Sequence, residues 1–436
     1  MRRSRAFRPT VLSRALLAAC AAISLPAAAG CGVVTPRQVV CEARDEPVPD
    51  IRFVDVSDFE LVLKKGLVVD GNLMLEGNTA VVLYGEGAVT LTAEDGTSIR
   101  AYNGWPAVDV VSNSGPVTVR VDEVIGGNIG VAAAANGDVD VWANYVEGDV
   151  AVEALSLGGN VTVDVAAVQG RGAGGAGVLA TTEKGNVTIL AGQAITQGDY
   201  GRGLSASTHD GSVAIEAGFV MTEGANSVGV WAESWDNGDV AVDVETVSAN
   251  GEGSAGILAG AGFCDVAIKA GWVSAMGAYG VGVGAFAFNG DASVDVEGVG
   301  TDGDFTRGID IQAFGEVGVR NGSVFTTGAS ADAINVETVG DVGVASQRVT
   351  TYGNDAYGVR VLTSGNVAID IDEITTFGER SAALHATSGS GDVDARVGRV
   401  ITRATTGDWY AVGLSAWDGD ASLLVEQEVR AESGLA

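Results

Sequence analysis

The chain has 436 residues, of which 56 are acidic and 25 are lysine or arginine, so its formal net charge is −31. A surface this acidic repels phosphate backbones and excludes nucleic acid as a partner. The hydrophobic fraction of 46% is too high for a disordered chain, so the 64 glycines are expected to mark regular turns.

The first thirty residues are typical of a secretory signal peptide. Arginines are concentrated in residues 1–14, and the apolar segment that follows over 15–29 is too short to span a bilayer. Three alanines at 27–29 fit an ordinary cleavage site, whereas the tetrapeptide Ala-Ala-Gly-Cys that ends at Cys31 resembles a bacterial lipoprotein box. We predict removal of residues 1–30 and lipid attachment at Cys31, with secretion and a disulfide between Cys31 and Cys41 as the alternative.

The next two segments lead into a repetitive region. Residues 31–50 contain proline and charge, and are predicted to be a tether. Residues 51–114 show strand-like alternation without a regular period, and are predicted to form an irregular β-structured cap. A repetitive β-protein needs such a first unit because an exposed sheet edge pairs with other chains.

Three columns of small residues recur in fixed register through eight repeats. The first column is glycine with one cysteine: Gly185, Gly211, Gly238, Cys264, Gly290, Gly315, Gly340 and Gly365. The second lies thirteen residues later: Gly198, Gly224, Gly251, Gly277, Gly303, Gly328, Gly353 and Gly378. The third follows after five more: Gly203, Gly229, Gly256, Gly282, Gly308, Ala333, Gly358 and Ala383. Only the return from the third column to the first varies in length, so insertions are confined to one edge of the repeat.

Alternating strands between these columns indicate an all-β solenoid. Each unit of 22–28 residues contains two or three short strands. The backbone hydrogen bonds of these strands can be formed only by pairing with the units above and below. Residues 115–436 are therefore predicted to form about twelve rungs of a single-stranded parallel β-helix, right-handed because parallel crossovers nearly always are.

The repeats resemble the passenger domains of bacterial autotransporters and filamentous-haemagglutinin-like adhesins. The similarity is seen in Gly-Asn-Val-Thr-Ile at 185–189, Gly-Ile-Leu-Ala at 256–259 and Ile-Thr-Thr-Phe-Gly at 374–378. It covers residues 115–436 and implies an adhesive surface protein. The family also carries a C-terminal membrane barrel, whereas the repeats of this chain extend to its last residues.

Two polar columns allow both a ligand-binding and a structural interpretation. Acidic residues follow the first glycine on five consecutive rungs, and they could bind calcium or form tight turns: Asp239, Asp265, Asp291, Glu316 and Asp341. Threonines precede the second glycine by two residues, and they could bind ice or pack inside: Thr196, Thr222, Thr301, Thr326, Thr351 and Thr376. The structural interpretation is favoured for both columns, and no metal or cofactor is predicted.

The variable edge concentrates aromatic side chains and is the predicted ligand-binding surface. Seven residues in or near it form the candidate site: Trp231, Trp235, Phe263, Phe286, Phe288, Phe314 and Trp417. Aromatic faces can stack on sugar rings, so the expected ligand is an extracellular glycan or another cell-surface molecule. The structural alternative is that these rings cover the open ends of the core.

These features favour an exported, lipid-anchored surface protein that acts in adhesion or structural display, rather than an enzyme. The expected location is the outer membrane or cell surface, or the medium if no lipid is attached, and the oligomeric state stays open. The alternative is a polysaccharide hydrolase or lyase on a β-helix, with Asp302, Asp304, Asp310 and Arg307 as the densest charged cluster.

Overall fold

A computed structural model describes residues 30–73, 79–102, 104–403 and 411–431, and the predicted signal peptide lies outside these residues except for Gly30. The N-terminal strands are β1 (Cys31–Thr35), β2 (Gln38–Cys41), β3 (Ile51–Val56), β4 (Phe59–Leu63), β5 (Val68–Asp70), β6 (Val81–Gly85), β7 (Val89–Ala93), β8 (Ser98–Ala101) and β9 (Val108–Ser112), with one 3₁₀ turn at Gly71–Leu73.

The central strands are β10 (Val117–Gly126), β11 (Ile129–Ala135), β12 (Val139–Gly148), β13 (Val150–Ser156), β14 (Val161–Gly170), β15 (Ala176–Lys184), β16 (Val187–Gln197), β17 (Arg202–Asp210), β18 (Val213–Glu223), β19 (Val228–Ser234), β20 (Val240–Asn250), β21 (Ala255–Ala261) and β22 (Val266–Met276). The C-terminal strands are β23 (Val281–Ala287), β24 (Ala292–Asp302), β25 (Arg307–Ala313), β26 (Val317–Thr327), β27 (Ile334–Glu337), β28 (Val342–Tyr352), β29 (Val359–Thr363), β30 (Val367–Phe377), β31 (Leu384–Ser388), β32 (Val393–Arg403), β33 (Val412–Ala416) and β34 (Ala421–Ala431).

Two stacked sheets make the chain a right-handed parallel β-solenoid of about fifteen turns. From β10 onward, each even-numbered strand pairs in parallel with the next even-numbered strand to form sheet A. The odd-numbered strands pair in the same way to form sheet B. Within the described residues, no helix is long and apolar enough to cross a membrane.

The solenoid begins earlier than the sequence predicted, which explains the larger number of turns. Residues 51–114 form regular coils that pair in register with the later ones. Their regularity is hidden because the long strand of later coils is here divided in two: β7 and β8 both pair with β10. The segment 31–50 carries β1 and β2, and β1 lies antiparallel to β2 at the end of sheet A.

A continuous apolar core fills the solenoid between the two sheets. In each strand every second side chain points into the solenoid. One column of such residues in the sheet A strands is almost fully inaccessible: Val220, Val247, Val273, Val299, Val324, Val349 and Ile374. Removal of each such side chain from water contributes about 1.5–3 kcal/mol.

The first and second glycine columns lie at the corners, whereas the third lies within the sheet B strands, as at Gly229 and Gly256. Gly238 has φ of +154°, and a Cβ on it would lie 1.9 Å from the carbonyl oxygen of Gly211 below. Gly251 in the second column has φ of +146°, and its Cβ would lie 2.1 Å from the Gly224 oxygen. Both corners therefore exclude side chains for conformational and for steric reasons.

Candidate functional site

The acidic column after the first glycine forms a hydrogen-bond ladder at the corner. The Oδ1 atom of one rung accepts the backbone N–H of the next, as between Asp239 and Asp265 (3.2 Å) and between Asp265 and Asp291 (2.9 Å). Asn160 and Asn186 form the same bond at 2.9 Å, so a negative charge is not required. This is the turn-forming role predicted for the column.

Calcium binding finds no geometric support in this ladder. Among the described residues, no group of three or more His, Cys, Asp or Glu side chains converges closely enough to hold a metal ion. The carboxylates are spaced along the rod axis, one per rung, and each bonded oxygen faces a backbone amide.

The threonine column lies inside the solenoid, as the structural interpretation predicted. All six side chains are at most 2% exposed. The Thr326 hydroxyl donates to the carbonyl oxygen of Ala331 at 2.7 Å, whereas those of Thr301, Thr351 and Thr376 have no hydrogen-bond partner among the described residues. A surface that binds ice through these threonines is therefore excluded.

A third polar column, which the sequence analysis missed, closes many of the coils and is replaced by alanine on others, as at Ala261, Ala287 and Ala313. Hydroxyl groups near the end of sheet B donate to the carbonyl oxygen of the glycine that opens the same coil, as Ser156 does to Gly137 at 2.8 Å and Ser234 to Gly211 at 2.8 Å. The recurring Ser or Thr two to four residues before the first glycine was the available signal. These hydroxyls are structural, since each satisfies a corner carbonyl.

The variable edge carries a row of exposed apolar side chains on five consecutive rungs. We call this row the ridge: Trp235, Phe263, Phe288, Phe314 and Val339, each more than half exposed. Trp235, Phe288 and Phe314 take corresponding positions, because each backbone N–H bonds to the last residues of the sheet B strand one rung below. The rings of Phe288 and Phe314 lie 5.4 Å apart. Each of these side chains is more than half exposed, which favours the surface interpretation over the structural alternative.

The remaining predicted edge residues lie apart from the ridge. Trp231 and Phe286 project from the outer face of sheet B, since they alternate with buried neighbours. The Arg202 guanidinium lies 4.5 Å from the Trp231 ring. Trp417 is 77% exposed on the last rung, and the intervening rungs carry Ser364 and Gly389 at the corresponding position. Six of the seven predicted residues therefore lie on or beside one stretch of the rod.

A second row of aromatics, also missed from the sequence, lies at the opposite corner of sheet B. Tyr200, Tyr279 and Phe305 each follow a second-column glycine by two residues, and they are 66%, 63% and 53% exposed. Their φ angles of 60°, 63° and 59° lie in the left-handed region. The Tyr279 and Phe305 rings stack at 5.2 Å with an interplanar angle of 3°. Their constant offset from the glycine column was the signal available in the sequence.

The charged cluster proposed for catalysis is divided among three structural roles. Asp302, at the end of sheet A, accepts a hydrogen bond from Thr327, and Asp304 Oδ1 accepts the Ala329 N–H at 2.8 Å. Asp310 lies on sheet B, where it pairs with Arg307 at 2.8 Å. The catalytic alternative stays a prediction without geometric support at these residues.

A concave groove of about 1020 Å³ follows the outer face of sheet A. Its lining includes Asp243, Glu245, Asp295 and Glu297, together with Lys269. Lys269 Nζ lies 2.9 Å from Asp243 Oδ2, and this hydrogen bond raises the lysine pKa. The groove is charged, whereas the two aromatic rows are not, so the two sheets present different surfaces.

Cys31 is bonded to Cys41 in a disulfide that joins β1 to β2. Lipid attachment would require the same sulfur atom, so the two modifications exclude each other. The structure contains the arrangement that the sequence analysis gave as its alternative, and lipidation of Cys31 stays a prediction.

Comparison of the chain with protein-family models, with curated proteins and with solved structures returned no match. The resemblance to autotransporter passenger domains is therefore supported at the level of the fold, a right-handed parallel β-solenoid, and family membership is not shown.

Proposed function

We propose that this protein is an exported β-solenoid that acts in adhesion or display at a bacterial surface, and that its ridge binds glycans. The observation that carries the proposal is the alignment of Trp235, Phe263, Phe288, Phe314 and Val339 on consecutive rungs, all exposed. Contiguous exposed apolar surface on a soluble protein marks an interaction site more often than an isolated apolar residue does.

A glycan fits this surface better than a charged partner. Ridge side chains are apolar and mainly aromatic, and aromatic faces stack on the apolar faces of sugar rings. The chain carries a net charge of −31, which disfavours anionic ligands. A rigid coil also holds the rings at a fixed spacing of about 4.8 Å per rung, so little order is lost when an extended ligand binds.

Export is supported by two features at the N-terminus. The leader-like composition of residues 1–30 favours secretion, and a disulfide between Cys31 and Cys41 is typical of proteins in oxidising compartments. Intact-mass analysis of the mature chain separates the proposed forms, because a diacylglyceryl group adds mass whereas a disulfide removes two hydrogens.

A glycan array tests the binding proposal. The double variant Trp235→Ala/Phe288→Ala should bind at least fivefold more weakly than the wild type, since each lost ring contact contributes about 0.5–1.5 kcal/mol. The matched control is Tyr352→Ala/Phe377→Ala, a stacked pair at the end of sheet A with centroids 4.4 Å apart. Equal binding by the ridge variant and the wild type would refute the proposal, and so would equal loss in the control.

A further inference from the structure

The outer face of sheet B carries few charged residues over the five rungs β17, β19, β21, β23 and β25. Between the corners, Ser205 and Gly284 are buried, and Leu258 is partly exposed. The acidic residues of these strands are Glu233, Asp310 and Asp210, and Asp210 is exposed at the end of β17. We call this face, with the aromatic residues at its two corners, the platform.

The charges that the platform does carry are balanced by arginine. Asp310 Oδ2 lies 2.8 Å from Arg307 Nη1, and Asn335 Nδ2 donates to its other oxygen at 2.7 Å. Glu233 accepts a hydrogen bond of 3.4 Å from Trp231 Nε1 and lies near Arg202, which packs on the same indole ring. The platform is therefore close to neutral in a chain whose net charge is −31.

Aromatic pairs flank the platform on the same two rungs. Tyr279 and Phe305 stack at the corner before β23 and β25, and Phe288 and Phe314 lie together at the corner after them. The intervening strand has seven residues, which corresponds to a separation of roughly 23 Å. Over five rungs the platform extends about 19 Å along the rod, so its area is on the order of 450 Å².

Tyr279 and Phe305 occupy a corner at which the backbone is left-handed on the neighbouring rungs as well, as at Asn226 (φ 54°) and Ser330 (φ 54°). Both residues adopt a left-handed backbone conformation that is unfavourable for bulky side chains. Glycine occupies the equivalent position at Gly253 with φ of +72°, so the corner does not require an aromatic residue. The left-handed conformation therefore belongs to the corner itself, and it does not account for the aromatic side chains on these two rungs.

We infer that the platform binds the flat face of a neutral, insoluble polysaccharide. This inference rests on the proposed glycan-binding function and adds the physical form of the ligand. A single soluble sugar chain can contact one aromatic row, whereas only a ligand broad in two dimensions contacts both rows at once. The near neutrality of the platform matches an uncharged polymer.

Sedimentation of the full mature chain with microcrystalline cellulose and with chitin powder tests this inference. We expect the wild type to bind at least one of these solids, and the variant Tyr279→Gly/Phe305→Gly to bind at least tenfold more weakly. Glycine relieves the left-handed strain, so this variant should unfold at a denaturant concentration no lower than that which unfolds the wild type. The control Tyr352→Ala/Phe377→Ala should bind like the wild type.

The other outcomes separate this inference from the proposed function. Binding to soluble oligosaccharides on an array without binding to either solid would overturn the inference and leave the glycan-binding proposal intact. Binding to neither would overturn both. Undiminished binding by the glycine variant would show that the binding site is restricted to the ridge, and it would overturn the inference that the platform binds the ligand. If light scattering shows that the wild type is a dimer and the glycine variant is a monomer, the platform binds a second copy of this chain. That result would also overturn the inference.

Discussion

Replacement of Thr351 by valine should stabilise the solenoid, although it removes a polar group from the core. Thr351 is 0% exposed, and its hydroxyl has no hydrogen-bond partner among the described residues. A buried hydroxyl without a partner costs about 1–3 kcal/mol, and valine replaces it with a methyl group of similar size. We expect Thr351→Val to raise the unfolding free energy by about 1 kcal/mol, since the methyl group must also fit.

The matched control lies one rung below. The Thr326 hydroxyl donates to the Ala331 carbonyl oxygen at 2.7 Å, and Thr326 is equally buried. Thr326→Val breaks this bond and leaves the oxygen unpaired, so it should lower the unfolding free energy by about 1–2 kcal/mol. The two substitutions are chemically identical, and the structure predicts effects of opposite sign.

Urea denaturation followed by far-ultraviolet circular dichroism measures both effects. Because long repeat arrays can lose cooperativity, native-state hydrogen exchange of amides in β26 and β28 gives the local free energies as well. Destabilisation of similar size in both variants would refute the reasoning, because it would mean that the Thr351 hydroxyl makes a hydrogen bond in solution.

Three further predictions follow from the corners, the buried carboxylates and the N-terminus. Gly238→Ala should destabilise the chain by more than about 2 kcal/mol in urea denaturation, whereas Gly318→Ala, whose Cβ would meet no atom within 4 Å, should change stability by less than about 1 kcal/mol. Burial raises the pKa of Asp332 above its ordinary value of 3.8, so the folded state binds this proton more readily than the unfolded chain and stability falls as pH rises through the raised pKa. Calorimetry should therefore show a higher Tm as pH falls from 7 toward about 4. The increase should be smaller in Asp332→Asn, whose side-chain oxygen can still accept the 2.8 Å hydrogen bond from the Tyr357 N–H. An equal increase in Tm in the variant and the wild type would contradict the assignment to Asp332. Cys41→Ser should lower the unfolding free energy by about 2–3 kcal/mol under oxidising conditions and have no effect under reducing conditions, and an effect independent of reductant would show that the disulfide is not what stabilises β1.

The solenoid could be predicted because steric constraints at its corners restrict certain positions of the repeat to glycine. A corner such as Gly238 excludes a Cβ, so the glycine period reports the coil directly. The inward position of the threonine column followed from its spacing to the buried column that contains Val324 and Val349. Residues 51–114 were assigned to a cap because a turn splits the long strand there, and the period of the repeat is then obscured.

The candidate site could be predicted only in part. Alternation was sufficient to place Trp231 outside, and the variable edge correctly located Trp235 and Phe288 on the surface. The groove of sheet A was not predicted, because its acidic lining residues, such as Asp243 and Asp295, have the alternating pattern of any outward-facing strand residues. The pairing of Tyr279 with Phe305 across rungs was not predicted, because these residues lie in an interval of fixed length, where no insertion indicates an exposed loop.

If recognition occurs at the ridge and the platform beside it, their aromatic side chains must lose contact with solvent in the complex. Hydroxyl-radical footprinting of the full mature chain, free and bound to microcrystalline cellulose or chitin, locates the contact surface without any substitution. We predict protection of Trp235, Phe288 and Phe314, and of Tyr279 and Phe305 at the opposite corner of sheet B. Protection of Tyr352 and Phe377 at the end of sheet A, with the ridge unchanged, would contradict the account.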